Sequence, residues 1–200
     1  MYRPAHFAED RLDVLHGVIR ARPLVTLVTS RGGTLDADHV PVLLDATAGA
    51  SGTLQGHVAR ANDLWKAVRP GSEALAIFQA EDHYVSPAWY PAKLEHGKVV
   101  PTWNYVVVHA RGPIRFIDDR EWLRALVTRL TDVHEGSRDE RWRVTDAPPD
   151  YIDAMLRAIV GFEIEITTLT GKWKMSQNRS PADRAGIAAG LEAEAGRRGD

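Results

Sequence analysis

The chain has 200 residues, of which 44% are hydrophobic and 26% charged, a composition typical of a soluble globular protein with no membrane span. Because it contains no cysteine, disulfides, thiol catalysis and thiolate metal sites are excluded. The formal net charge of -2 argues against a broad nucleic-acid surface, and with no hydrophobic leader at the N-terminus we expect a cytoplasmic protein.

The first half of the chain predicts one helix followed by four short strands. Apolar residues at helical spacing, with acidic residues ahead of them, place the helix over residues 9–21. Apolar and β-branched runs predict the strands, over residues 24–30, 39–44, 54–58 and 74–79. Pro41 falls inside the second strand, which is tolerated only at a sheet edge or a bulge because proline lacks a backbone donor.

The second half predicts two strands and two helices. The first strand covers residues 104–116, with a break at Gly112-Pro113. Asp118 is then the predicted N-cap of a helix, with Glu121 completing a capping box, and Pro148-Pro149 begins the next helix. Alternation of apolar residues with Glu163 and Glu165 predicts a half-exposed strand, and weak patterning beyond Pro181 predicts a tail that frays.

The order of these elements predicts the fold class. Short strands come first, and helices fill the connections and the end, which favours an α+β antiparallel barrel or sheet with peripheral helices over repeated βαβ units. The chain contains no internal repeat or evident linker. We therefore expect one domain over residues 1–200, with a C-terminal tail from about residue 181.

The segment from Tyr84 to Tyr105 is rich in both aromatic rings and proline. Its prolines prevent one continuous helix, so Trp89, Tyr90 and Trp103 must lie on loops and strand ends. Large rings beside polar side chains suit a pocket for a flat, partly polar aromatic ligand. An equally good interpretation is a small core that closes one end of a β-structure.

Two other segments have the residue types that bind anions. Arg60 and Asn62 stand where a strand ends and a short helix begins, so Asn62 could cap the helix while its free backbone donors and Arg60 bind a phosphate; a surface arginine at an ordinary turn is the alternative. The second segment could bind a phosphate, ribityl hydroxyls or the edge of a heterocycle, unless it is a solvated charged loop. Its candidate residues are Lys174, Ser176, Gln177, Asn178 and Arg179.

The histidines and the basic residues add weaker candidates. His39 and His57 lie near strand ends and could face a pocket. The acidic and histidine residues show no recognised ligand spacing, so we expect no metal site. A local DNA-binding patch would have to consist of Lys172, Lys174, Arg179 and Arg184. The sequence also lacks dinucleotide-binding and P-loop motifs.

Six segments of the chain together resemble one family. They are MYRPAHF at the N-terminus, HVARAND from residue 57, YVSPAWYPAK from 84, GKVVPTWNY from 97, IVGFEIEI from 159 and GKWKMSQNR from 171. In the same order they resemble the PaiB-like family of FMN-binding negative transcriptional regulators. The chain departs from the family pattern at Asp63, where we expect proline, and at Ala88 and Ala92, where we expect serine.

The resemblance implies a split β-barrel, like that of pyridoxamine phosphate oxidases and flavin reductases. It also implies a homodimer with FMN at the subunit interface. By family position, Arg60 would hold the FMN phosphate, and the segment of Thr102, Trp103 and Asn104 would lie beside it. Residues 174–179 would reach the flavin from the same or the partner chain. His39 and Trp103 would lie near the isoalloxazine ring.

Three functions are compatible with the sequence. The first is an FMN-binding regulator, whose repression would be indirect or flavin-linked, because no helix pair in the sequence has the short turn and basic second helix of a helix-turn-helix. The second is a flavin-dependent oxidoreductase that acts on a small substrate. The third is a haem-binding split barrel with an axial histidine such as His39.

Overall fold

The computed structural model describes the backbone of residues 1–198 and the side chains of residues 1–196. Its strands are β1 (Ala8–Glu9), β2 (Leu24–Arg31), β3 (Thr34–Asp45), β4 (Thr53–Ala59), β5 (Glu73–Val85), β6 (Thr102–Ile117), β7 (Ile159–Glu165) and β8 (Thr168–Lys174). Its α-helices are α1 (Leu12–Ala21), α2 (Leu64–Ala67), α3 (Ala92–His96), α4 (Arg120–Glu135), α5 (Pro149–Arg157) and α6 (Pro181–Arg198). Every strand and helix that the sequence predicts before Pro181 is present.

The eight strands form one antiparallel sheet, in the order β1-β8-β6-β5-β2-β3-β4-β7. Strand β7 pairs with β4 and also with β6, so the strands from β6 through β7 close into a ring of six. Closure gives each strand of the ring a neighbour on both sides, whereas β1 remains at the open end of the sheet. A strand with a neighbour on both sides is protected from pairing with another chain. The antiparallel α+β barrel or sheet predicted from the element order is confirmed, and the sheet closes into a barrel.

The described chain divides into two compact units. The aromatic unit comprises Met1–Asp10, Gln79–Val107 and Thr170–Asp200, and the barrel unit comprises Arg11–Phe78 and Val108–Leu169. Strands β5 and β6 each begin in one unit and end in the other. The expectation of a single domain stays a prediction.

Two prolines of the barrel unit lie inside strands. Strand β3 pairs with β2 as far as Pro41 and with β4 from Val42 onward, so Pro41 stands where the strand changes partner and its missing donor is tolerated. Strand β6 runs unbroken through Gly112-Pro113, and the predicted break is wrong. A Cβ on Gly112 would lie 1.8 Å from the carbonyl oxygen of Glu165, so glycine here permits close backbone approach.

Two further predictions, which concern acidic residues of the barrel unit, are wrong. Glu163 is only 7% exposed, because its carboxylate accepts a hydrogen bond from Gln55 Nε2 at 2.6 Å and pairs with Arg115. The predicted half-exposed strand is therefore a buried one, in which partners compensate the charge. Helix α4 is capped by Asp119, whose Oδ1 accepts from the Trp122 N–H at 2.7 Å, and not by Asp118.

Helix α6 of the aromatic unit covers most of the segment that we expected to fray. Ile187 is buried in a small core with Val85 and Tyr90, against which Trp89 packs. A Cβ on Gly186 would lie 2.1 Å from the Trp89 carbonyl oxygen, and one on Gly190 would lie 2.3 Å from its indole ring. Small residues thus let the helix approach Trp89, and the prediction of a frayed tail is wrong for residues 181–198; residues 199–200 lie outside the described part.

Candidate functional site

Three basic side chains of the aromatic unit form what we call the cationic cluster, Lys172, Lys174 and Arg179. Lys172 and Lys174 come from strand β8, and Arg179 comes from the turn that follows it. The Nζ atoms of the two lysines lie 5.2 and 5.9 Å from the centre of the Tyr105 ring, and the Arg179 guanidinium lies 5.0 Å from that of Tyr90. The aromatic faces stabilise cations that have left bulk water.

The partners of the cationic cluster are uncharged. Lys174 Nζ donates to the Thr102 hydroxyl and to the Trp103 carbonyl oxygen, the latter at 2.5 Å. Lys172 Nζ donates to the carbonyl oxygen of Tyr2 at 3.0 Å. Within the described residues, no carboxylate forms an ion pair with any of the three cations. Burial lowers the pKa of Lys174, and repulsion from Lys172 and Arg179 adds to the effect against the opposing influence of Tyr105.

A small cavity of about 40 Å³ adjoins the cluster. It is lined by Phe7, Thr102, Asn104, Lys174, Ser176, Asn178 and Arg179. Ser176 is buried, and its hydroxyl donates to Asn104 Oδ1 at 2.8 Å. Its φ of 60° places it in the left-handed region, a conformation that is uncommon for a residue other than glycine and that concentrates at functional sites.

Gln177 stabilises the same turn without lining the cavity. Its Oε1 accepts from the Met175 N–H at 2.7 Å, and its Nε2 donates to the Trp173 carbonyl oxygen at 2.6 Å. The predicted residues Thr102, Asn104, Lys174, Ser176, Asn178 and Arg179 are thus brought together, and Gln177 supports them. Sequence reasoning missed Phe7, for which membership of the MYRPAHF motif was the available signal.

Trp103 faces a different space. Successive side chains of a strand point to opposite faces, and Trp103 lines a cleft of about 340 Å³ while its neighbours Thr102 and Asn104 line the small cavity. Its ring meets that of Tyr84 edge to face, with centres 5.7 Å apart. We call this space the aromatic cleft, and its lining residues are Asp82, His83, Tyr84, Trp103, Leu191, Glu194 and Ala195.

Arg60 lies in the barrel unit, where an internal carboxylate neutralises it. Its Nη atoms donate to both oxygens of Asp118, at 2.9 and 2.5 Å. Nε donates to the carbonyl oxygen of Arg157 at 2.7 Å, and Nη2 to that of Ile159 at 3.0 Å. The hydrogen bond from Arg60 lowers the pKa of Asp118. Arg60 as a phosphate ligand stays a prediction, and it requires the phosphate to displace Asp118.

The other three candidates of the barrel unit, Asn62, His57 and His39, differ in their surroundings. Asn62 Oδ1 accepts from the Leu64 N–H at 2.8 Å and its Nδ2 donates to Asp38 at 2.7 Å, beside a helix of a single turn. Burial lowers the pKa of His57, and its Nδ1 is buried with no hydrogen-bond partner in the described part of the chain. His39 is exposed, on strand β3 opposite Thr26. Their roles stay predictions.

The described part of the chain has neither a cluster of potential metal ligands nor a helix that could span a membrane. No three or more His, Cys, Asp or Glu side chains there are grouped so that they could hold a metal ion. No helix there has both the length and the hydropathy that crossing a bilayer requires. Of the basic residues proposed as a DNA patch, Lys172 is buried, so these residues do not form a fully exposed basic surface.

Residues 1–168 match the protein family described as "Putative FMN-binding domain". The chain belongs to this family. It is 34% identical to an uncharacterized protein of Emericella nidulans, over 96% of this chain and 90% of that protein. It is 27% identical to protease synthase and sporulation protein PAI 2 of Bacillus subtilis, over 97% of this chain and 90% of that protein. The predicted family and the predicted cofactor, FMN, are confirmed.

A solved structure shares the fold. The flavocytochrome Anf3 of Azotobacter vinelandii superposes with a TM-score of 0.66 at 15% identity, over 92% of this chain and 78% of that one. At this identity the likeness shows the fold alone, and the predicted split-barrel class is confirmed. Helix α6 lies outside the residues that match the family.

Proposed function

We propose that the protein is an FMN-binding homodimer of the PaiB-like regulator type, in which the cationic cluster binds the FMN phosphate. One observation carries the proposal: Lys174 is partly buried near other cations, and its hydrogen-bond partners among the described residues are neutral. Cations without a carboxylate partner favour a bound anion. When bound, FMN supplies electron-transfer chemistry, and the protein supplies binding and orientation.

The residues around the cavity suit a phosphate. An ammonium has three donors, and Lys174 uses two of them on Thr102 and Trp103. Arg179 adds a fork of donors that matches phosphate oxygens, and Asn178 adds an amide. A cavity of about 40 Å³ has room for a small polar group, so the rest of the cofactor would extend beyond it.

Exposed apolar side chains of the aromatic unit support the homodimer. Leu94 is 92% exposed and Val100 62%, both within the Tyr84–Tyr105 segment. Large exposed apolar patches mark interaction surfaces in proteins. A second copy of the chain is the partner that the family resemblance implies, and it could also contact the extended part of FMN.

The regulatory role is supported by the relative whose name refers to protease synthase and sporulation. We propose that this role is exerted in the cytoplasm and is indirect or flavin-linked. Helices α4 and α5 are separated by residues 136–148, a connection too long for a helix-turn-helix. Direct recognition of a major groove by this pair is therefore disfavoured.

A comparison of FMN with riboflavin tests the proposal, because riboflavin lacks the phosphate. We expect the flavin-free protein to bind FMN at least about 30-fold more tightly than riboflavin, since a lost charge-assisted contact costs ~2 kcal/mol or more. The Lys174→Met variant should lose most of this preference. Lys98→Met is the matched control, because Lys98 is exposed in the same unit.

Equal affinity of the wild type for FMN and riboflavin would contradict the proposal that the cationic cluster binds the FMN phosphate. An absorbance spectrum of the purified protein distinguishes the cofactors, since a Soret band in place of flavin bands would favour the haem-binding alternative. Sedimentation of the FMN-loaded protein tests the homodimer, and a monomer at micromolar concentration would contradict it.

A further inference from the structure

The aromatic cleft has the opposite electrostatic character from the cationic cluster. The charged residues that line it, histidine aside, are Asp82 and Glu194, and neither forms an ion pair with a described residue. At about 340 Å³ the cleft lies in the size range of small-molecule sites. Carboxylates repel a phosphate, so the cleft is unsuited to the charged end of FMN.

The aromatic wall of the cleft is exposed. Trp103 is 52% and Tyr84 44% exposed, and the two rings meet edge to face. The face of an indole carries negative charge density and attracts ammonium groups within about 6 Å. A wall of this kind beside carboxylates recognises an organic cation.

The opposite wall is helix α6, which supplies the apolar side chains Leu191 and Ala195 as well as the carboxylate of Glu194. The helix is held in place because Ile187 is buried against Val85 and Tyr90. The wall is thus anchored by a packed core. This wall lies beyond the residues that match the family, whereas Tyr84 and Trp103 on the other wall lie within them.

We propose that the aromatic cleft binds an organic ammonium ion with a short apolar body. The ammonium group lies against Trp103 and the two carboxylates, and the body packs on Leu191 and Ala195. This site is independent of the FMN phosphate site, because Trp103 points to the opposite face of strand β6 from Thr102 and Asn104. The proposal therefore stands whether or not the cationic cluster binds FMN.

Three probes with the same six-carbon body separate charge from hydrophobicity. We expect titration calorimetry to show binding of n-hexylammonium, at least about tenfold weaker binding of 1-hexanol and no binding of hexanoate. Raising the salt concentration should weaken n-hexylammonium binding, because exposed carboxylates are screened. Equal binding of hexanol, or preference for hexanoate, would overturn the proposal.

Paired variants assign the binding to the cleft. Glu194→Gln should weaken n-hexylammonium binding about threefold by removing one charge, whereas Glu192→Gln should not, because Glu192 is exposed on the same helix and does not line the cleft. Trp103→Leu should weaken it similarly, and Trp142→Leu, which removes an exposed indole of the barrel unit, should not. Equal effects of the two glutamate variants would place the site elsewhere, even if Trp103→Leu fails to fold.

The same titration on the FMN-loaded protein separates this proposal from the preceding one. We expect the affinity for n-hexylammonium to change less than about threefold when FMN is bound. Loss of binding would show that the flavin itself occupies the cleft and would overturn the proposal. If FMN does not bind at all, the function proposed above fails, while the flavin-free titration still decides whether the cleft accepts an ammonium ion.

Discussion

The two cation-bearing regions of the molecule differ in what neutralises their charge. In the barrel unit, Arg60 is paired through two hydrogen bonds with Asp118 and also donates to two backbone carbonyl oxygens. In the aromatic unit, Lys174 and Arg179 have no carboxylate partner among the described residues. The first region is internally compensated, and the second is suited to an external anion.

This difference shows why a cationic residue type is insufficient to locate an anion site. Arg60 and Lys174 both lie in segments whose composition suits phosphate binding. Asp118 compensates the charge of Arg60, although it lies 58 positions further along the chain. A site for an anion needs cations whose charge the fold leaves uncompensated, and only tertiary structure reveals that condition.

The largest effect that we predict concerns FMN affinity. Arg179→Met should weaken FMN binding about 30-fold or more, because a desolvated phosphate loses its planar fork of donors. Arg60→Met should change the affinity less than about threefold, since its donors are used within the chain. Titration of flavin fluorescence measures both. If the Arg60 variant loses FMN as severely as the Arg179 variant, the phosphate displaces Asp118 and the contrast between the two regions disappears.

The second prediction concerns helix α6, which begins two residues after Arg179. Gly186→Ala should destabilise the folded protein by ~1–3 kcal/mol, because the added Cβ would meet the Trp89 backbone at 2.1 Å. FMN binding should also weaken as the turn that carries Arg179 loses its support. Urea unfolding and flavin titration measure the two effects.

Gly196→Ala is the matched control on the same helix, because, apart from its chain neighbours and the helix's own backbone, no described atom lies within 4 Å of the position its Cβ would take. It should leave FMN binding unchanged and stabilise the helix by up to ~1 kcal/mol. Equal stability of the Gly186 and Gly196 variants would mean that the contact with Trp89 does not anchor the helix.

Much of the fold followed from local patterns. The strands from Leu24 to Val85 and helices α4 and α5 come from short runs whose periodicity decides their conformation. Helix α6 was missed because its stabilising contacts depend on Gly186 and Gly190, which are poor helix formers. Tertiary packing against Trp89 outweighs that local preference. The sequence has no periodic apolar stripe from which the helix could be predicted.

The site was predictable in part. The family resemblance placed Thr102 and Asn104 beside the FMN phosphate and had Lys174 and Ser176 reach the flavin. The structure brings these four residues to one cavity. The same motifs included Trp103, which strand alternation directs to the aromatic cleft. The compensation of Arg60 could not be predicted, because it depends on a pairing between distant segments rather than on spacing within one.

The third prediction concerns the turn that carries the cationic cluster. Ser176→Ala should destabilise the protein by ~1–2 kcal/mol, because Asn104 Oδ1 loses its buried hydrogen-bond donor. Alanine still has a Cβ, so the left-handed backbone at position 176 stays strained. Ser176→Gly should be about 1 kcal/mol more stable than Ser176→Ala, because glycine adopts positive φ without steric cost. Chemical denaturation compares the two. A glycine variant less stable than the alanine variant would contradict the claim of backbone strain.

The smallest effect tests the compensated region through pH. Arg60 holds the pKa of Asp118 below its ordinary value. Ionised Asp118 therefore stabilises the folded state, and this contribution is complete above the pKa of about 3.9 that an aspartate has in the unfolded chain. The contribution is lost as the pH falls through the lower pKa of the folded state. Asp118→Asn should therefore be less stable than the wild type at neutral pH, by at most ~1 kcal/mol since Asp118 is 58% exposed. The difference should vanish once the pH falls below the folded-state pKa of Asp118. Asp45 and Asp153, whose pKa values are lowered too, titrate equally in both proteins, so the difference between the two unfolding curves isolates Asp118. A difference in stability between the two proteins that persists at low pH would mean that Asp118 stabilises the protein through packing. The charge compensation that distinguishes Arg60 from the cationic cluster would then be too weak to account for their different roles.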